Sequence, residues 1–77
     1  MRKRFIPSVA GSNTVKLFDA ETGQLYKMVN TGCGKITGQP IVTENEMYVE
    51  VTESGNQRYI KYYSLPNLGL KKTVSLN

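Results

Sequence analysis

Clusters of Gly, Pro, Asn and Ser interrupt this chain roughly every 8–12 residues, and the apolar residues between them alternate in short runs. No stretch is left for an amphipathic helix, which needs apolar residues about every three to four positions over several turns. The pattern predicts an all-β fold: an antiparallel meander of about five or six short strands, blade-like or closed into a small sandwich or barrel. Residues 13–77 are expected to form this single domain, and residues 1–12 a basic N-terminal arm.

Val15–Phe18 reads as a first strand and Gln24–Asn30 as its partner, across a turn at Asp19-Ala20-Glu21-Thr22-Gly23 in which Gly23 is free to take positive φ. A loop of Ala20 to Gly23 sets Val15 and Leu17 against Met28 and Tyr26. It also sets Lys16 against Lys27, a mild conflict that a bulge near Gly23 or the nearby Glu21 would relieve. Gly32-Cys33-Gly34 and Gly38 mark a flexible connection, and Pro40–Thr43 a short strand. The clearest hairpin runs from Met47 to Leu65 around Ser54-Gly55-Asn56, and Lys71–Leu76 follows as a last strand. With Gly55-Asn56 as a two-residue loop, Val51 lies opposite Ile60 and Val49 opposite Tyr62, and Met47 completes an apolar face. The other face then pairs Glu50 with Lys61, Thr52 with Tyr59, Tyr48 with Tyr63 and Glu53 with Arg58. Such pairs contribute about 0.2–1 kcal/mol each.

The run Val15-Lys16-Leu17-Phe18-Asp19-Ala20-Glu21-Thr22-Gly23-Gln24-Leu25-Tyr26 resembles the strand–Asp-x-x-Thr-Gly–strand segment of quinoprotein-type and WD40-like β-propeller blades. Gly38-Gln39-Pro40-Ile41-Val42 with Met47-Tyr48-Val49 resembles the opening strands of a next blade, and Ile60 to Gly69 echoes the same hairpin in weaker form. The tryptophan that follows the turn in quinoprotein blades is Tyr26 here, so the resemblance carries no quinone site. It implies either a ring completed by several copies or a free-standing meander, since a closed propeller needs about 4–8 blades.

A single core in 77 residues typically contributes only about 3–5 kcal/mol net. The usual supports are missing: one Cys cannot close an internal disulfide, and without His or a Cys cluster the common zinc ligand sets are absent. Oligomerisation or docking is the support that remains. The lack of His also removes the commonest general acid/base, which points away from an enzyme and from any cofactor or metal site. The start Arg2-Lys3-Arg4-Phe5-Ile6-Pro7 has the charge of a signal peptide but a short apolar stretch broken by Pro7. The expectation is a cytoplasmic protein, or a virion protein if viral, that neither carries a secretion signal nor spans a membrane.

Net charge is +4, distributed as +4 over residues 1–35, −4 over 36–57 and +4 over 58–77. An acidic centre between basic flanks suits complementary pairing of strands or of copies better than a uniform nucleic-acid-binding face. Cys33 has no His to activate it, and its flanking glycines lack the spacing and following helix of a phosphate loop. Glu44, Glu46, Glu50 and Glu53 read as solvated, paired charge. Tyr48, Tyr59, Tyr62, Tyr63 and Leu76 are the expected interface anchors, because tyrosine combines a coverable ring with a hydroxyl that stays wet. Arg2, Lys3, Arg4, Arg58 and Lys61 are the candidate contacts to an acidic protein surface or to nucleic acid. The expected function is that of a structural subunit that self-associates or docks in a larger assembly, such as a phage decoration, ring or fibre-anchoring component. The alternative is a small basic nucleic-acid-binding sheet protein.

Overall fold

The computed structural model describes residues 4–77. The fold is all-β, as the alternation predicts, with 59% of the described residues in strands, and the only helical turn among them is a 3-10 turn at Ser54–Asn56. Eight strands follow in order: β1 Phe5–Ala10, β2 Thr14–Asp19, β3 Leu25–Asn30, β4 Lys35–Ile36, β5 Ile41–Val42, β6 Glu46–Glu53, β7 Gln57–Ser64 and β8 Leu70–Ser75. They make two antiparallel sheets. Sheet A has the order β1-β2-β3. Sheet B runs β4-β6-β7-β8, with β5 pairing the same flank of β6 as β4.

The sheets stack through one thin core. Phe5, Val15, Leu17 and Val29 come from sheet A, and Met47, Val49, Val51 and Tyr63 from sheet B. The molecule measures 41 × 22 × 16 Å, and its shortest extent leaves room for two sheets about 10 Å apart and no third layer. Tyr26 ties the layers at one end: its ring lies 4.7 Å from that of Phe5, and its hydroxyl donates to the Pro66 carbonyl. Burial holds the Tyr63 phenol above its ordinary pKa. Since the unfolded chain then ionises first, the fold loses stability as pH rises past the ordinary tyrosine value.

Three expectations need correction. The arm assigned to residues 1–12 contains a strand, because Phe5–Ala10 pairs along all of β2 and Phe5 enters the core. In the first hairpin Val15 faces Val29, Lys16 faces Met28 and Leu17 faces Lys27; an extra residue at Tyr26 then brings Leu25 opposite Phe18. The bulge removes the Lys16–Lys27 conflict. In the second hairpin the loop is three residues long, with both Gly55 and Asn56 at positive φ, and Glu53 pairs with Gln57. The register is one residue from the expected one, which exchanges the faces of β7. Val51 therefore meets Tyr59, Val49 meets Lys61 and Met47 meets Tyr63, while Tyr48 meets Tyr62 and Glu50 meets Ile60.

Candidate interface on the outer face of sheet B

Alternation along β6 sends Met47, Val49 and Val51 into the core and turns Tyr48, Glu50 and Thr52 outward. The register carries this division across the sheet. Ile41, Tyr48, Tyr62 and Lys72 form one outward row, and Glu50, Ile60 and Val74 the next. The Tyr48 and Tyr62 rings stack at 5.3 Å with 30° between their planes, and the Lys72 ammonium lies 4.7 Å from the Tyr62 ring centre. Leu76 continues the face beyond β8, where its N–H donates to the Arg58 carbonyl.

Charged groups frame this centre. The Lys71 ammonium hydrogen-bonds the Glu46 carboxylate. Arg58 lies 3.9 Å from Glu50, which also accepts from the Thr37 hydroxyl. The hydrogen bond from Lys71, helped by the positive charge of Lys71 and Lys72, holds Glu46 below the ordinary carboxylate pKa. A depressed folded pKa stabilises the fold above the unfolded value and loses that contribution as pH falls through the folded one. An NMR titration should accordingly place the Glu46 midpoint below that of an ordinary glutamate, and Lys71→Met should raise it toward the ordinary value.

The predicted interface residues separate into two groups. Tyr48, Tyr62 and Leu76 lie together on the outer face. Tyr63 is buried, and Tyr59 packs against the core from the same side, so neither is available as an exposed anchor. Among the predicted basic contacts, Lys61 also points inward, where its ammonium donates to the Thr31 carbonyl. Its expected partner Glu50 lies on the opposite face. Arg58 pairs diagonally with Glu50 rather than with Glu53. Arg4 is exposed, and Arg2 and Lys3 lie outside the described residues. Cys33 is exposed. No three His, Cys, Asp or Glu side chains converge as metal ligands among the described residues, and no helix there is long and apolar enough to cross a membrane.

No family model, curated protein or solved structure matches the chain.

The outward residues that single-strand reasoning missed are Ile41, Ile60, Val74 and Lys72. For Ile60, Val74 and Lys72 the signal was the β7 register, since each is outward only when Tyr48 opposes Tyr62, whereas Ile41 is outward through its pairing with Tyr48 on β6. Sheet A has a smaller apolar row on its own outer side: Ile6, Phe18 and Leu25 face one another across its three strands, next to Met28. Ile6, Leu25 and Met28 are 55%, 49% and 58% exposed.

Proposed function

We propose that this chain is a non-enzymatic structural subunit that works by self-association, with its outer sheet faces covered by protein. One observation carries the reading. Among the described residues eight hydrophobics are buried in the core and eight large ones are exposed: Ile6, Leu25 and Met28 on the outer face of sheet A, Ile41, Val74 and Leu76 on that of sheet B, and Val9 and Leu70 at positions that pair with the buried Val15 and Tyr63. Scattered apolar side chains are normal on a protein surface, but continuous outward rows on both layers of so thin a fold mark surfaces made to be covered. Covering them also supplies the support that a core of this size lacks. A repetitive assembly such as a phage virion is the setting in which such a subunit would decorate, close a ring or anchor a fibre.

Two features weigh against the nucleic-acid reading. The Lys61 ammonium is engaged between the sheets, and Arg58 and Lys71 each lie beside a carboxylate. Sedimentation velocity across protein concentration tests the proposal together with titration of labelled single-stranded DNA and RNA across salt. The expected result is a species heavier than the 8.6 kDa monomer, growing with concentration, and no salt-dependent binding. A monomer at every concentration that binds nucleic acid with a steep salt slope would overturn it.

A further inference from the structure

Resting on the self-association proposed above, we infer that two copies of this chain join by exchanging sheets. Sheet A of each copy packs on sheet B of the other, and Gly32-Cys33-Gly34 is the hinge.

The connectivity permits the exchange. Sheet A is built from one continuous segment, 5–30, and sheet B from another, 35–75, with no strand interleaved between them. Thr31 and Gly32 still belong to sheet A: the Thr31 N–H donates to the Asn13 carbonyl, and the Asn13 side-chain amide donates to the Gly32 carbonyl. From Lys35 onward the chain belongs to sheet B, where Lys35 pairs with Thr52. Gly34 already lies close against that sheet, since a Cβ there would come within 3.1 Å of Glu53 and 3.2 Å of Val51. Movement of one short connection therefore releases a whole sheet without breaking a bond of either ladder. Gly32 and Cys33 are exposed, so the hinge lies at the surface.

The fit of the two inner faces selects the occupant. The inner face of sheet B is complementary to the inner face of sheet A of this same sequence, as their shared core shows. An exchanged pair makes that core twice. It also remakes the Lys61 ammonium on the Thr31 carbonyl, the Tyr26 hydroxyl on the Pro66 carbonyl and the Ile36 N–H on the Ser12 carbonyl. The balance between closed chain and exchanged pair is thus left to the hinge and to concentration, which is why exchange of identical elements is a low-cost route to a dimer. Among the described residues the buried hydrophobics all lie between the sheets, so a sheet released from its own partner is driven to the same face of another copy.

The hinge sets the strength. A short flexible connection holds the two sheets of one chain at an effective concentration on the order of millimolar, and exchange competes with closure as the chain concentration approaches that value. The exchanged dimer is therefore weak in dilute solution and favoured in a crowded assembly. In the closed chain Gly32 has φ +93°, a conformation open to glycine and strained for a β-branched residue. In the exchanged dimer the hinge runs on to the other lobe, and position 32 is released from that conformation. Both outer faces stay open for the further contacts that the assembly reading requires.

Gly32→Val tests the hinge. A Cβ at Gly32 meets the Lys61 ammonium at 3.6 Å, an ordinary contact, so the substitution acts through φ. It should penalise each closed chain about tenfold and, with two hinges per dimer, tighten association about a hundredfold, from about 1 mM to about 10 µM. Gly55→Val is the control. Gly55 has φ +78° and open space around its Cβ, but its hairpin lies within sheet B and is the same in both forms. The monomer–dimer balance should not move. Sedimentation velocity on chains refolded from urea at about 1 mM and about 10 µM reads that balance. Should Gly32→Val fail to fold, the wild-type chain gives a second reading. Its dimer, formed at about 1 mM and diluted about a hundredfold, should decay no faster than the chain unfolds in a urea jump, because parting opens both cores. A dimer that parts faster than the chain unfolds would overturn the exchange and leave self-association standing. Equal tightening by Gly32→Val and Gly55→Val would do the same. A wild-type chain still monomeric at about 1 mM would overturn both.

Discussion

Leu17→Ala is expected to leave most of the chain unfolded in dilute solution at room temperature. Leu17 lies on the central strand of sheet A and is fully buried. It packs in a core of eight buried hydrophobic residues among those described. Truncating a buried leucine costs about 2–5 kcal/mol, because the lost transfer free energy is joined by that of the cavity left behind. A fold of this size typically has about 3–5 kcal/mol to lose. Urea denaturation followed by far-ultraviolet circular dichroism measures the difference. Gln24→Ala just before the neighbouring β3, at an exposed side chain outside both apolar rows, is the control and should move stability by no more than about 0.5 kcal/mol. If self-association supplies part of the support, raising the Leu17→Ala concentration should recover folded signal, since a contact made only by folded chains draws the equilibrium toward them. A wild-type urea midpoint for this variant would place the stabilising core elsewhere.

The all-β class was legible because it depends on period and punctuation, which are local properties. Met47, Val49 and Val51 were read as one inward face for the same reason. The strand opposite them was not, because its assignment depends on a single residue of loop length. A two-residue loop pairs Glu50 with Lys61 and Glu53 with Arg58, which looks favourable in isolation. The three-residue loop forgoes those direct pairs and places Tyr63 in the core and Tyr62 beside Tyr48. Burying a tyrosine ring outweighs exposed charge pairs, each contributing about 0.2–1 kcal/mol or less. The same slip moved the candidate site: of the four predicted tyrosine anchors, Tyr63 became core and Tyr59 packs against it, while Ile60, read as inward, faces outward. β1 was hidden for another reason. Pro7 and the bases before it read as an unpaired arm, yet a proline is tolerated on an edge strand, and Phe5 lies opposite Asp19 where it reaches the core.

The inward lysine follows from a contact that no local pattern reveals, and it supports the last prediction. Lys61 faces Val49 across the hairpin, on the side of the sheet that holds the core. It is accommodated there because its stem packs on apolar surface while its ammonium reaches the carbonyl of Thr31, thirty residues earlier in the chain. Thr31 is itself 2% exposed and fixed to sheet A, its N–H and its hydroxyl both donating to the Asn13 carbonyl. Lys61 is thus a strut between the sheets. Lys61→Met keeps most of the stem and removes the donor, so it isolates the polar contact. Leaving a largely buried carbonyl without its charged donor should cost about 1–3 kcal/mol. Hydrogen exchange should show where the loss falls. The Thr31 and Ile36 amides, which bond the Asn13 and Ser12 carbonyls, should exchange faster, while amides between β6 and β7 away from the strut should change only with global stability. Unchanged protection at Thr31 and Ile36 would refute the strut. If Lys61→Met instead left stability intact and abolished salt-dependent binding of single-stranded nucleic acid, Lys61 would act on the outside of the sheet, contrary to the pairing of β6 with β7.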